Sequence, residues 1–292
     1  VAHHYNARPD QGIAGRRTSK IIRLRSFNNW VKMTLIRRFA ASCKDAQTGQ
    51  FRVLDLGCGK GGDLHKWGSV DVTSYVGCDI AEVSVEQAKE RRRQRPDQRF
   101  TAEFHALDCF GRPIWDVIDR NSKPFDAVSM QFCLHYAFET EERARQMLRN
   151  VSEALRPGGM FIGTLPDANW IVRQLQKVTP ALEFGNRILN IRFDQRDTFP
   201  IFGHRYHFAL EDAIDDCPEY LVHFPTLASL AMEYGLRLVY VQPFPIVYET
   251  LKEVSPFREL LFRMRVKGGP NPEMSREEWE VTEAYLAFAF ER

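Results

Sequence analysis

The sequence predicts an α/β fold: a doubly wound, mostly parallel sheet with an N-terminal helix and a β-hairpin insertion. Three observations carry that expectation. Short apolar segments alternate with helical periodicity between residues 51 and 166. A glycine-rich turn, Gly57-Cys58-Gly59-Lys60-Gly61-Gly62, joins the first apolar segment to a helix. After Pro166 the alternation breaks, and polar-faced segments replace it.

The N-terminal helix is read over Ser19–Ala41, where Ile21, Leu24, Phe27, Val31, Leu35 and Ile36 recur at three- and four-residue steps. Strands are expected at Arg52–Leu56, Tyr75–Asp79, Glu103–Leu107, Asp126–Phe132 and Met160–Leu165. Apolar strands of this kind suit a sheet covered on both faces. Helices fall at Val83–Arg93 and Glu141–Leu155, the second ended by Pro157-Gly158-Gly159. Ala168–Val178 reads as a helix, and Asn186–Asp194 with Gly203–Leu210 as a polar-faced hairpin. Thr226–Gly235 is a helix; Leu236–Gln242 and Ala284–Phe290 are strands. One domain, 1–292, is expected, with a helical segment over 1–45 and the insertion at about 183–222. The insertion should lie near the carboxyl ends of the strands, where open α/β sheets bind ligands.

Composition narrows the class. The 292 residues are 44% hydrophobic and 27% charged, with a formal net charge of +2. That excludes a strongly basic body gripping nucleic acid over a wide surface but leaves room for a local basic channel. Six cysteines without a CxxC pair read as reduced thiols of an intracellular protein. No apolar run approaches 18 residues, so no membrane span is expected, and VAHHYNARPD lacks a signal peptide's apolar core. The abrupt start reads as a trimmed catalytic core. No metal site is expected: His204 and His207, three apart in a strand, point to opposite faces.

Gly57, Gly59 and Gly62 match GxGxxG, which suits dinucleotides as well as S-adenosylmethionine. Asp79, 22 residues past Gly57 at a strand end, can accept from ribose hydroxyls. Asp55 and Asp63 tilt the choice, because carboxylates repel a pyrophosphate at this turn and suit a ligand with ammonium and sulfonium charges. Asp108, after the third strand, can accept from an adenine amino group. The alternative is that these aspartates form turns and helix caps.

Further candidates each carry a plainer alternative. Lys32 can meet a ligand carboxylate or stay solvated. It follows Phe27-Asn28-Asn29-Trp30, whose paired asparagines sacrifice helix propensity, as functional sites do. Gln131, His135 and Tyr136 follow the fourth strand beside the glycine turn and offer hydrogen bonds and flat faces for a purine, or pack in the core. Phe202 and Tyr285 are ligand or core aromatics. Glu219 is a solvated carboxylate or a reader of guanine, whose edge presents two parallel donors. The Arg91–Arg95 run is a solvated helix end or a phosphate track.

These residues resemble a family. LDLGCGKGGDL is similar to the turn of class I S-adenosylmethionine-dependent methyltransferases. HYN at His4–Asn6, LRSFNNWVK at Leu24–Lys32, MQFCLHYAFET at Met130–Thr140, PEYLV at Pro218–Val222 and AYLAFAFE at Ala284–Glu291 resemble the eukaryotic mRNA cap guanine-N7 methyltransferases, over nearly the whole chain. The resemblance implies a methyltransferase-type sheet, with a cofactor-binding half at 51–166 and a substrate-side half at 167–292. It implies cofactor contacts from Lys32, Gly57, Asp63, Asp79, Asp108, Gln131 and Tyr136. It implies cap contacts from Asn28, Asn29, His135, Tyr136, Pro166, Phe202, Glu219 and Tyr285, with Lys60, Lys66 and Arg91 on the cap phosphates. His135, Tyr136 and Glu219 would lie nearest the substrate. The implied partners are the capped 5′ end of mRNA and other capping enzymes or RNA polymerase II, and the implied location is the nucleus. The stretch between Tyr248 and Trp279 is shorter than in some animal relatives, which puts regulatory-subunit docking there in doubt.

No nucleophile or acid–base dyad stands out, and none is needed, because guanine N7 carries a lone pair and no proton. The expectation is in-line transfer by positioning. Two rivals are a methyltransferase of the same fold acting on a metabolite and a non-enzymatic cap- or RNA-binding module. The basic residues with Glu219, Phe202 and Tyr285 speak against the first, and the intact turn with its aspartates against the second.

Overall fold

The computed structural model describes residues 19–44, 48–95, 97–122, 124–268 and 273–292. The His4–Asn6 motif lies outside them. Among the described residues, the large sheet contains β1 (Arg52–Leu56), β2 (Ser74–Asp79), β3 (Thr101–Ala106), β4 (Phe125–Gln131) and β5 (Leu155–Pro166). Two later strands complete it, β10 (Arg237–Pro243) and β11 (Tyr285–Glu291). The spatial order is β10-β11-β5-β4-β1-β2-β3. All neighbours pair parallel except β11, which runs antiparallel to both β5 and β10. β1 pairs with β2 on one side and β4 on the other, so the order reverses there and a crevice opens outside their carboxyl ends.

The sheet is apolar on both faces. Along β1, Val53 joins one core cluster and Leu54 the other, as a two-residue side-chain period requires. The first cluster takes Leu24, Phe27, Trp30 and Val31 from α1 (Ile22–Leu35). The second takes Met147, Leu148 and Val151 from α4 (Glu141–Ala154). Between these helices in sequence lie the short α2 (Leu64–Gly68) and α3 (Glu82–Arg93).

Several sequence expectations need correction. The N-terminal helix ends at Leu35 and widens into a π turn over Ile36–Ala40. That turn lays Phe39 against Tyr240, with the Arg38 guanidinium over both rings. Pro157-Gly158-Gly159 lies inside β5, because the strand begins at Leu155 and its pairing to β4 shifts between Phe125 and Ala127. The expected hairpin is one ladder of a four-stranded antiparallel sheet: β6 (Glu183–Gly185), β7 (Leu189–Phe193), β8 (Arg205–Leu210) and β9 (Ile214–Tyr220). It follows α5 (Ala168–Lys177) and packs on the first cluster through Ile191, Tyr206 and Phe208. After α6 (Phe224–Glu233) and β10 come three helices that the sequence reading lacks: α7 (Phe244–Leu251), α8 (Phe257–Arg263) and α9 (Arg276–Thr282).

One of these fixes the start of α1. Among the described residues, the N-cap Ile21 brings no side chain to cap α1. The buried Glu278 of α9 does so from a distance, its Oε1 accepting from Leu24 N at 3.0 Å. Its Oε2 accepts from Ser275 N at 2.9 Å, while Ser275 Oγ accepts from Glu278 N at 3.1 Å, a capping box. We therefore expect Glu278→Ala to cost about 1–3 kcal/mol of unfolding free energy, because the buried Leu24 amide and the part-buried Ser275 amide lose their acceptor. Urea unfolding measures this, and a loss below about 0.5 kcal/mol would contradict the assignment.

Candidate functional site

The glycine turn after β1 is held by backbone bonds from Gly57 N and Cys58 N to Cys78 O, at 2.8 and 3.0 Å. Gly57 has φ +74°, and a Cβ there would lie 2.5 Å from Cys133 Sγ, so both conformation and packing demand glycine. Gly59 also has positive φ, but a Cβ would meet nothing within 4 Å. Its backbone therefore stands open to a ligand. Asp79, at the end of β2, braces the turn: Oδ2 accepts from Gly59 N at 2.8 Å and Oδ1 from Ala81 N at 2.9 Å. Burial pushes its carboxyl above the usual range, against those two bonds.

A cavity of about 660 Å³ opens at this point. Gly57, Gly59, Asp79, Asp108, Gln131 and Tyr136 are among the residues that line it. Gln131 is oriented by Ser129 and Thr164: its Nε2 donates to Ser129 Oγ at 3.2 Å and its Oε1 accepts from Thr164 Oγ1 at 3.1 Å. Asp108 receives a two-pronged contact from Arg143, both prongs at 3.1 Å.

Lys32, Asp63 and Lys66 stand apart from that lining, as a buried ionic cluster. Lys32 Nζ lies 2.8 and 2.9 Å from the two oxygens of Asp63, and Lys66 Nζ lies 2.6 Å from Oδ1. Burial acts to raise the Asp63 carboxyl, but the two ammonium groups outweigh it and hold the group well below the usual carboxylate range. Burial lowers Lys66 against the pull of Asp63. Beneath them Asp55 accepts from Tyr75 Oη at 2.7 Å, and burial and the Asp63 charge push its carboxyl up to about 7. The charge argument drawn from the sequence therefore changes: two lysines already compensate Asp63, so it does not present a bare negative charge.

The remaining candidates are not among the residues lining that cavity. Glu219, on β9, is 2% exposed, so the reading as a solvated carboxylate falls. Register places it opposite Tyr206 of β8, whose hydroxyl donates to its Oε2 at 2.7 Å. Its Oε1 lies 3.4 Å from His135 Nε2. Both ring nitrogens of His135 are buried without a hydrogen-bond partner among the described residues. The ring itself lies 4.2 Å, centroid to centroid, from that of Tyr136. Tyr285 is buried opposite Pro166, stacked on Phe244 and edge-on to Phe132. Phe202 is half-buried and stacks on Phe138. Asn28 and Asn29 are half-buried on α1, and Asn28 Oδ1 is buried without a hydrogen-bond donor among the described residues. Lys60 is half-buried in the turn, and the Arg91 guanidinium comes within 3.9 Å of the Cβ position of Gly62. Tyr206, Glu139, Arg143 and Tyr220 were not singled out from sequence. Only Glu139 and Arg143, an i,i+4 pair of opposite charge, offered a signal there.

The chain matches the mRNA (guanine-N(7))-methyltransferase domain over residues 1–292. It is 44% identical over 297 residues to the mRNA cap guanine-N(7) methyltransferase of Schizosaccharomyces pombe, covering all of this chain and 81% of that protein. It is 44% identical over 299 residues to a protein of the same name from Cryptococcus neoformans, and spans about half (47%) of its length. The Drosophila melanogaster protein of that name is 39% identical, with 76% of it covered. Among solved structures, the CcbJ methyltransferase of Streptomyces caelestis superposes with TM-score 0.55 at 14% identity, covering 100% of this chain and 95% of that one. An S-adenosylmethionine-dependent methyltransferase of Clostridium acetobutylicum does so with TM-score 0.51 at 10%, covering 91% of each. At those identities the structural matches speak to the fold.

The ionic cluster yields a stability test. Asp63→Asn leaves the buried Lys66 ammonium and the largely buried Lys32 ammonium without their counter-charge and should cost about 3–5 kcal/mol. Adding Lys66→Met should recover a large part of it. Because the carboxyl is depressed on folding, its contribution is present above the unfolded-state pKa of about 3.9 and is lost as pH falls through the folded value. Guanidinium unfolding of the single and double variants checks this; equal stability of wild type and Asp63→Asn would contradict it.

Proposed function

The chain belongs to the mRNA (guanine-N(7))-methyltransferase family, and on that premise we propose that it moves a methyl group from S-adenosylmethionine to N7 of the guanine cap of mRNA. One observation carries the guanine assignment: a buried carboxylate, Glu219, fixed by Tyr206 and flanked by the His135 ring, whose nitrogens make no hydrogen bond among the described residues. Guanine presents N1–H and the 2-amino group as parallel donors, and each carboxylate oxygen keeps a spare lone pair to accept one. Burial removes competing water, so the contact discriminates strongly.

The cavity fits the methyl donor. Its volume suits a nucleoside with an amino-acid tail, the Gly59 backbone is open to it, and Asp79 stands at a strand end beside the turn. Gly57, Asp79, Asp108, Gln131 and Tyr136 would hold the cofactor, which supplies an activated methyl carbon on a sulfonium. Lys32 would reach its carboxylate from the edge of the Asp63 cluster. On the cap side, Phe202 and Tyr285 would bound the base with Pro166, and Asn28 and Asn29 would face it from α1. Lys60 and Arg91 would meet the phosphates, with Lys66 adding positive charge behind them.

The chain's task is alignment. N7 needs no deprotonation, so no general base is required. The residues hold N7 in line with the methyl carbon, exclude water, and place the Glu219 charge beside a ring that becomes cationic on methylation. The partners on this reading are the capped 5′ end and, more broadly, other capping enzymes or RNA polymerase II. The proposed location is the nucleus, with no part in membranes.

Glu219 gives the sharpest test. Glu219→Gln keeps shape and loses charge, so kcat should fall with affinity, for a total of about 2–4 kcal/mol in kcat/KM. An inosine cap lacks the amino donor and should cost wild type about 1–3 kcal/mol. With Glu219→Ala, guanosine and inosine caps should become nearly equal. If that variant still prefers guanosine as wild type does, Glu219 is not the reader.

A further inference from the structure

A chain of polar contacts runs along the cavity wall from Asp108 to β9. Arg143, in the first turn of α4, grips both oxygens of Asp108 at 3.1 Å. Its Nε lies 3.4 Å from Glu139 Oε2. The other oxygen of Glu139 accepts from Tyr220 Oη at 3.0 Å. Tyr220 is the residue after Glu219 on β9, and all four chain members line the cavity. The chain therefore joins the proposed adenine end of the cofactor site to the strand that carries the proposed guanine reader.

The links are not equal. The fork onto Asp108 is a planar, two-bond contact that only arginine makes. The contact to Glu139 is slack: 3.4 Å exceeds the ~2.9 Å of a good N–H···O bond, and Arg143 Nε has no hydrogen-bond acceptor among the described residues. Arg143, Asp108 and Glu139 are 27%, 28% and 48% exposed at their side chains. Ion pairs that open to solvent add little stability, so orientation is the greater effect. A ligand that draws Asp108 toward it moves the guanidinium, and a small movement closes or opens the Glu139 link.

We infer that Arg143 is a positioning residue that couples cofactor binding to cap binding through Asp108, Glu139 and Tyr220. The inference rests on the cap reading above. Coupling of this kind is reciprocal, so each ligand tightens the other by the same factor. Tyr220→Phe cuts the last link while leaving the Arg143–Asp108 fork in place. Arg143→Lys keeps the charge and removes the fork.

The test is calorimetry of S-adenosylhomocysteine binding, with and without saturating GpppG. Wild type should bind S-adenosylhomocysteine at least about 5-fold more tightly with GpppG present. Both variants should bring that factor close to one, with melting temperatures within about 3 °C of wild type, a change too small for a structural collapse. GpppG binding with the coupling factor unaltered in both variants overturns this inference and leaves the cap reading standing. A wild type that binds both ligands without coupling also overturns it alone. A wild type that does not bind GpppG overturns the cap reading and this inference together.

Discussion

Two lysines from separate parts of the chain converge on the single carboxylate of Asp63, in a region where all three charges are largely out of water. Burying charges carries a penalty of several kcal/mol each, and contacts of 2.6–2.9 Å offset it only while the geometry holds. The cluster is thus a constraint on assembly. Lys32 belongs to α1 and Lys66 to α2, so satisfying Asp63 presses the N-terminal helix onto the glycine turn. Glu278 fixes the other end of α1 by capping Leu24. Asn28 and Asn29 lie between those anchors, and their positions follow from them.

The rest of the site is built from two kinds of sheet. The parallel sheet supplies the turn, Asp79 and Gln131 at its carboxyl edge, each braced by neighbouring backbone or hydroxyl groups. The antiparallel sheet supplies Glu219, whose direction depends on the β8–β9 register that sets it opposite Tyr206. A one-residue slip would turn Glu219 to the other face. His135 and Tyr136 occupy the seam, one ring against the other. The proposed reaction removes no proton, so on that reading rigidity and fixed charge take the place of a reactive side chain.

The first five strands were legible in the sequence because parallel, doubly covered strands are short apolar runs bounded by turns. β6 is only three residues long, and β9 carries Asp215, Asp216 and Pro218, so neither shows a strand's alternation. Pro157-Gly158-Gly159 looked like a stop because local turn chemistry says so, and the sheet pairing at Leu155 overrode it. In the site, Asp79, Asp108 and Gln131 were readable from strand ends. Tyr206 was not, since its role depends on a register no local pattern reports. The resemblance implies Lys66 on the cap phosphates, and only the fold reveals it buried against Asp63. Arg143 and Tyr220 became visible once three segments distant in sequence met at the cavity wall.

Radiolabelled transfer reads out the proposed methylation of N7 on a capped guanine. S-adenosylmethionine with a labelled methyl group is incubated with GpppG-capped RNA and with the same RNA bearing a 5′ triphosphate, and the products are digested and separated. Label in the capped RNA alone, recovered as N7-methylguanosine, is the predicted result. Comparable labelling of the triphosphate RNA, or recovery of the label on any other atom, would contradict it.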